Sequence, residues 1–191
     1  RSPMFKNVTD ASFAILRDYK AIRAAAGLTT PFNMRVIDTQ NCFAAQALPV
    51  IECVRMIKAG VSHAKIRERL EHIVQNSYGY LLPRDLKQLR AVAQKRGDKS
   101  VGLLQYIVGS ALDLKPLVRG YRNETGPVAR IRHFDAGVTK LFQYVEAQIR
   151  KGLMTPTLVV EYAGDPAEIS KLPGYASLLK TAQEHGVEVF L

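Results

Sequence analysis

Apolar residues recur at helical spacing in three segments before Pro83. Thr9 and Gly27 mark the expected start and end of the first helix. Pro49 in the first turn and Gly60 just past the end place a second helix at about residues 47–58. Ser62 is expected to cap a third helix. The expected inward positions are Phe13, Leu16 and Ile22 in the first helix, Val50, Val54 and Ile57 in the second, and Ile66, Leu70 and Ile73 in the third.

Strand-like runs follow the first and third of these helices, at residues 32–37 and 78–82. Strands that alternate with helices are typical of a parallel open sheet, which is the α/β fold predicted for this first part. The character of the chain changes after Pro83. A basic helix is predicted over residues 85–95, and a nearly uncharged helix over residues 102–112.

The remainder of the chain predicts a second α/β lobe with a mixed or antiparallel sheet. Residues 115–121 and 128–133 are expected to form a β-hairpin through a turn at 123–126. Asp135 is expected to cap the next helix, and a strand follows at 157–162. Asp165-Pro166-Ala167-Glu168 has the composition of a helix start. We therefore predict two domains, residues 1–82 and 83–191.

Composition limits the class of protein. Apolar residues make up 47% of the 191 residues and charged residues 23%, which is ordinary for a globular protein. No apolar run approaches the roughly twenty residues that cross a bilayer, so we expect no membrane span. Cys42 and Cys53 are too few to staple a secreted domain, so we expect free thiols in a cytoplasmic protein. Because the chain opens on Arg1 and closes on a strand-like segment, we expect it to be part of a longer protein.

The positive charge of the chain is concentrated in one region. The net charge is +10, and the stretch from Arg84 to Arg132 contains eleven basic and four acidic residues. A field of this sign favours phosphate, carboxylate or an acidic protein surface. A nucleic-acid-binding module is therefore one functional hypothesis. Tyr106 and Tyr121 are the only aromatic residues in the stretch, which is few for stacking bases.

No catalytic constellation is visible in the sequence. The four histidines, at positions 63, 72, 133 and 185, have no metal-ligand spacing, and neither cysteine belongs to a CxxC pair. GxSxG, P-loop and GxGxxG motifs are absent. We therefore predict neither a metal site nor an enzyme. Asp38 ends the predicted strand 32–37, where α/β proteins often bind ligands, although it could equally accept backbone N–H groups of the following loop.

Several short motifs occur in an order that resembles the DegV family of bacterial fatty-acid-binding proteins. Ile37-Asp38-Thr39 precedes a small-residue turn at residues 43–47, where the family usually has glycines and this chain has alanines. Asp85-Leu86-Lys87-Gln88-Leu89 follows, and Leu112-Asp113-Leu114-Lys115-Pro116 comes about seventy residues after the first motif. The family's earlier strand–loop segment and its C-terminal continuation have no counterpart in this chain.

The resemblance implies a carrier that binds a long-chain fatty acid and presents its carboxylate to a partner kinase, with no other cofactor. It implies head-group binding by Ser2 at a helix start and by Asp38 and Thr39. It gives Arg96, or Lys99 in its place, and Arg132 a phosphate- and partner-facing role. Nonpolar residues of the uncharged helix would line a tunnel for the acyl tail: Leu103, Leu104, Ile107 and Val108.

Overall fold

The computed structural model of the chain describes residues 3–86 and 114–191. Both helices predicted between residues 85 and 112 lie wholly or largely outside this range. The chain has a mixed α/β fold and divides into two compact units, Arg1–Thr39 and Gln40–Leu191.

The first unit contains one long helix. Helix α1 spans Pro3–Ala25, and Gly27 follows it with φ +67°. The predicted start at Thr9 is wrong, because the Thr9 hydroxyl lies inside the helix and donates to the Phe5 carbonyl at 2.8 Å. The predicted strand at residues 32–37 is also absent from this unit. A strand requires a hydrogen-bonded neighbour, and none of the described segments pairs with these residues.

The second unit begins with three helical segments. A short 3₁₀ helix at Phe43–Gln46 leads into α2, Ala47–Lys58, whose bounds match the prediction. Helix α3 spans His63–Asn76, and the three inward positions predicted for it are buried. The predicted orientation of α2 is wrong in the described structure. Its buried face carries Pro49 and Glu52, whereas its apolar stripe is exposed: Val50, Val54 and Ile57.

An antiparallel sheet follows, with strand order β1 (Gly79–Leu81), β2 (Lys115–Tyr121) and β3 (Glu124–Ile131). The predicted hairpin is present, but its turn consists of Arg122 and Asn123, with φ +48° and +66°. Positive φ at both central residues is typical of a type I′ turn, whose twist suits a two-residue hairpin. The parallel sheet expected before Pro83 does not occur in the described residues, because β1 pairs antiparallel with β2.

The C-terminal part packs two helices over a small parallel sheet. Helix α4 spans Phe134–Lys151, and α5 spans Tyr175–Glu184. Strands β4 (Thr157–Val159) and β5 (Glu188–Phe190) pair in parallel. The predicted helix start is a 3₁₀ helix at Pro166–Lys171, capped by the Asp165 carboxylate, which accepts from Ala167 N at 2.9 Å. The core contains Val138, Phe142, Ile149, Ile169, Tyr175, Leu178 and Ala182.

A buried carboxylate ties α2 to α3. The Glu52 carboxylate accepts hydrogen bonds from the guanidinium groups of Arg55, at 3.0 Å, and Arg69, at 3.4 Å. Arg55 also reaches β4 and β5 through Thr157 and Glu188, each at 3.0 Å. Buried charges are stable only when paired in this way, so the network fixes the two helices against the parallel sheet. The predicted boundary at Pro83 remains a prediction, although strands on its two sides share one sheet.

Candidate ligand site

The loop that follows Asp38 and Thr39 is held firmly against the antiparallel sheet. The carbonyl oxygen of its first residue, Gln40, accepts a hydrogen bond of 2.7 Å from Asn123 N in the hairpin turn. The Gln40 side chain accepts from Gln75 of α3 at 3.2 Å. Arg122 of the turn donates through Nε to the Gln75 carbonyl at 2.9 Å. The loop, the turn and the end of α3 therefore form one hydrogen-bonded unit.

The Asn41 amide is the centre of this loop. Its Nδ2 donates to the Ser77 carbonyl at 3.0 Å, and its Oδ1 accepts from Cys42 N at 3.0 Å. Gly79 and Gly120 oppose each other on β1 and β2 and leave space for it. A methyl group would lie 2.9 Å from Asn41 Oδ1 at position 79 and 2.7 Å from it at position 120. These two glycines are therefore required for the loop to sit on the sheet.

The Cys42 thiol occupies a half-buried position beside Gly120. Burial raises the pKa of this thiol, and the hydrogen bond with Thr125 opposes the shift only in part. A thiol with a raised pKa is protonated at neutral pH and is a weak nucleophile. Cys42 therefore contributes packing to this site rather than covalent chemistry.

Two residues of the loop have left-handed backbone conformations. Gln40 has φ +51° and Phe43 has φ +55°. A residue with a side chain pays roughly 1–3 kcal/mol for such a conformation and retains it only where neighbours impose it. The alanines that stand in place of the family's glycines do not need positive φ; Ala47, for example, has φ −73°. The turn therefore holds alanine at these positions without a left-handed backbone there.

The sequence-predicted site residues fall into two groups. Asp38 and Thr39 are half-buried at the end of the first unit, directly before the loop. Arg132 is exposed immediately after β3. The remaining candidates lie outside the described residues: Ser2, Arg96, Lys99, Leu103, Leu104, Ile107 and Val108.

A second polar cluster lies at the surface of the second unit. Arg84 donates to Tyr162 at 2.8 Å and to Glu168 at 3.1 Å, and the Tyr162 hydroxyl donates to Glu168 at 2.7 Å. The hydrogen bond from Tyr162, followed by that from Arg84, lowers the pKa of the Glu168 carboxyl. Each of the three side chains hydrogen-bonds to the other two, so the cluster connects the segment after β1 to the 3₁₀ helix.

The chemistry available at the loop is that of binding. The amides of Gln40 and Asn41 and the thiol of Cys42 can shape a polar edge, but they include no activated base or nucleophile. In residues 3–86 and 114–191, no group of three or more His, Cys, Asp or Glu side chains could hold a metal ion. The helices within these ranges are too short or too polar to cross a membrane.

Sequence reasoning missed Asn41, Gly79 and Gly120 as parts of this site. They are separated by up to about eighty residues and meet only because β1 pairs with β2. The available signal was glycine inside two predicted strands, which often marks the close approach of another part of the chain.

Comparison with known proteins agrees with this fold. The DegV family, whose description is "uncharacterised protein, DegV family", matches residues 16–189. A DegV domain-containing protein of Xanthomonas campestris pv. campestris is 52% identical over 190 residues, which cover 100% of this chain and 60% of the relative. The chain thus spans about three-fifths of the length of the curated relatives that it matches.

Solved structures share the same fold at low sequence identity. A stearic acid-binding protein from Eubacterium ventriosum has a TM-score of 0.67 and 18% identity, over 100% of this chain and 61% of that protein. A fatty-acid-binding DegV family protein from Streptococcus agalactiae has a TM-score of 0.61 and 19% identity, over 100% and 59% of the respective chains. The similarity to these structures extends along the whole chain.

Proposed function

Because the chain belongs to the DegV family, we propose that it binds a long-chain fatty acid as a carrier and does not transform it. The observation that carries this proposal is the match of the whole chain to the fold of a stearic acid-binding protein, with a TM-score of 0.67. The family match over residues 16–189 supports the same ligand class, because solved DegV family proteins from Thermus thermophilus and Streptococcus agalactiae bind fatty acids.

A fatty acid has two ends with different physical requirements. Burying a tail of about sixteen methylenes gains about 0.8 kcal/mol for each group, before the costs of ordering. The carboxylate needs hydrogen-bond donors, because an unpaired charge is costly away from water. Thr39 supplies a hydroxyl donor of this kind. Asp38, being an anion itself, is proposed to order the backbone next to it rather than to touch the carboxylate.

The remaining role that we propose is presentation of the carboxylate to a partner kinase. A carrier of this kind needs no catalytic base of its own. Arg132 is exposed at the end of β3, where its guanidinium can reach a phosphate on the partner. Ser2 and Arg96 retain their predicted roles as proposals, as do the four tunnel-lining residues of the uncharged helix.

A titration of the delipidated natural protein with stearate tests the proposal. Thr39→Val keeps the shape of the side chain and removes the donor. A hydrogen bond to a charged group contributes about 1.5–3 kcal/mol, so we expect the dissociation constant to rise roughly 10- to 150-fold. Thr139→Val is the matched control, because the Thr139 hydroxyl donates only to the Asp135 carbonyl of its own helix.

The outcomes separate the role of the residue from the function. Equal affinity of Thr39→Val and the native protein would remove Thr39 from the head-group site. Failure of the native protein to bind stearate or any other long-chain fatty acid would overturn the function itself. The nucleic-acid-binding alternative gains no support from the relatives named above and stays a prediction from charge.

A further inference from the structure

The two faces of the antiparallel sheet differ in character. Gly79 and Gly120 oppose each other in the register and face the loop described above. Side chains alternate along a strand, so their neighbours point to the opposite face. That face carries a set of residues that we define as the tyrosine–arginine surface: Tyr78, Tyr80, Arg119 and Tyr121, with Arg122 of the turn and Tyr144 of α4.

Stacking holds the two arginines of this surface in place. The rings of Tyr78 and Tyr121 are parallel within 11°, and their centroids lie 4.4 Å apart. Arg119 Cζ lies 6.0 Å from the Tyr78 centroid, and Arg122 Cζ lies 4.9 Å from the Tyr121 centroid. Each arginine therefore lies close to a different ring of the stacked pair. Arg122 is fixed further by its hydrogen bond to the Gln75 carbonyl.

A second tyrosine pair extends the surface toward α4. Tyr80 and Tyr144 meet edge to face, with centroids 5.6 Å apart and hydroxyl oxygens 3.3 Å apart. Tyr78 is 50% exposed and Tyr144 is 47% exposed. Burial raises the pKa of Tyr80, and the hydrogen bond with Tyr121 raises that of Tyr78. Tyr78 and Tyr80 are therefore neutral at neutral pH, and the positive charge of the surface comes from its arginines.

Neither arginine is neutralised within the described chain. Both side chains are exposed, and the ion pairs of the described residues include neither Arg119 nor Arg122. Glu124 stands opposite Tyr121 in the register and pairs with neither of them. Two exposed guanidinium groups thus lie beside exposed aromatic rings, and only the Nε–H of Arg122 is used within the described chain, by the Gln75 carbonyl.

We propose that the tyrosine–arginine surface docks an acidic segment of a partner protein. Tyrosine and arginine dominate the energetic centres of protein interfaces, and a planar guanidinium binds a carboxylate through two parallel hydrogen bonds. Single-stranded nucleic acid would need open ring faces for its bases, whereas the Tyr78 and Tyr121 rings are stacked on each other and each has an arginine Cζ within 6.0 Å of its centroid. The inference is independent of fatty-acid binding.

Fluorescence anisotropy with labelled oligoglutamate, oligoglutamine of equal length and oligothymidylate tests the docking surface on the full chain. In the double variant Arg119→Gln/Arg122→Gln, we expect oligoglutamate affinity to fall about tenfold, as two ion pairs are lost. The variant Arg17→Gln/Arg67→Gln is the matched control. It removes the same charge from exposed arginines that are already paired with Asp18 and Glu71.

A third variant separates ordered docking from simple charge attraction. Tyr121→Leu keeps the net charge but removes the ring that supports Arg122, so it should also weaken oligoglutamate binding. The proposal is supported if the surface variants alone weaken binding and oligoglutamine does not bind. It is overturned if oligoglutamate does not bind, if the control weakens binding equally, or if oligothymidylate binds more tightly through the same residues. Circular dichroism verifies that each variant is folded.

Discussion

Adding a single methyl group at Gly120 tests how the candidate site is built. In Gly120→Ala the new carbon would lie 2.7 Å from Asn41 Oδ1 and 3.1 Å from Cys42 Sγ. Overpacking of this kind costs about 1–3 kcal/mol, and displacing the Asn41 amide loses about 1 kcal/mol of hydrogen bonding. The reduced entropy of the unfolded chain returns about 0.4–1 kcal/mol. We therefore expect a net loss of about 2 kcal/mol.

Thermal unfolding followed by circular dichroism measures this loss. A change of about 2 kcal/mol should lower Tm by roughly 4–8 °C in a domain of this size. Gly126→Ala is the matched control, because it lies in β3 of the same sheet and a methyl group there meets nothing within 4 Å. Its Tm should stay within about 2 °C of the native value or rise slightly.

A double-mutant cycle identifies the cause. Asn41→Ala removes the atom that lies closest to the new methyl group, so Gly120→Ala should cost less in that background, with a coupling of about 1 kcal/mol. Equal Tm values for Gly120→Ala and Gly126→Ala, or additive effects of Gly120→Ala and Asn41→Ala, would refute the reasoning. In either case the loop would not be fixed by the glycine pair.

Three further predictions concern charges and the thiol of the second unit. Glu52→Gln should lower the free energy of unfolding, measured in urea, by about 1–3 kcal/mol, because it leaves Arg55 and Arg69 without their shared carboxylate. The control Glu184→Gln disturbs only an exposed ion pair at 3.9 Å and should cost less than about 0.5 kcal/mol. Hydrogen bonds from Tyr162 and Arg84 lower the pKa of the Glu168 carboxyl in the folded chain. Their contribution to the stability of the fold is therefore present above the pKa of the unfolded chain and is lost as pH falls through the folded pKa. The Tm difference between the native chain and Glu168→Gln should therefore shrink in acid, and a constant difference would contradict this assignment. The Cys53→Ser variant leaves Cys42 as the single thiol, and because burial raises its pKa, iodoacetamide should alkylate it more slowly than N-acetylcysteine at neutral pH. Unfolding in urea should remove this difference, and equally fast alkylation in the folded state would contradict burial of the thiol.

Local sequence signals predicted the helices of the second unit to within a few residues, although the predicted cap Asp135 lies in the first turn of α4 and His133 is at the N-cap position. Pro49 and Gly60 bracket α2 because proline suits a first helical turn and Gly60 adopts φ +68° just beyond the helix. Asp165 with Pro166 marked the 3₁₀ helix for the same kind of local reason. Periodicity did not reveal whether a surface is covered. It identified the apolar stripe of α2 but not its exposure, because exposure depends on what packs against the stripe.

Long-range contacts explain where the sequence reasoning failed. The turn composition after Asn123 suggested a longer hairpin loop, but the Asn123 N–H bonds the Gln40 carbonyl and holds Arg122 and Asn123 in left-handed conformations. Asp38 and Thr39 were predicted from family motifs, and Asp38 also from the end of a strand that the described structure does not contain, so their role stays a prediction. Asn41 and the glycines that accommodate it became visible only with the pairing of β1 and β2. The tyrosine–arginine surface likewise combines a helix residue with two strands and a turn.

The central claim is that the protein binds a long-chain fatty acid, and native mass spectrometry of the gently purified natural protein tests it most directly. The account predicts a mass increase equal to one long-chain fatty acid, which disappears on delipidation and returns when stearate is added. A spectrum with no acyl adduct, before or after the addition of fatty acids of different lengths, would contradict it.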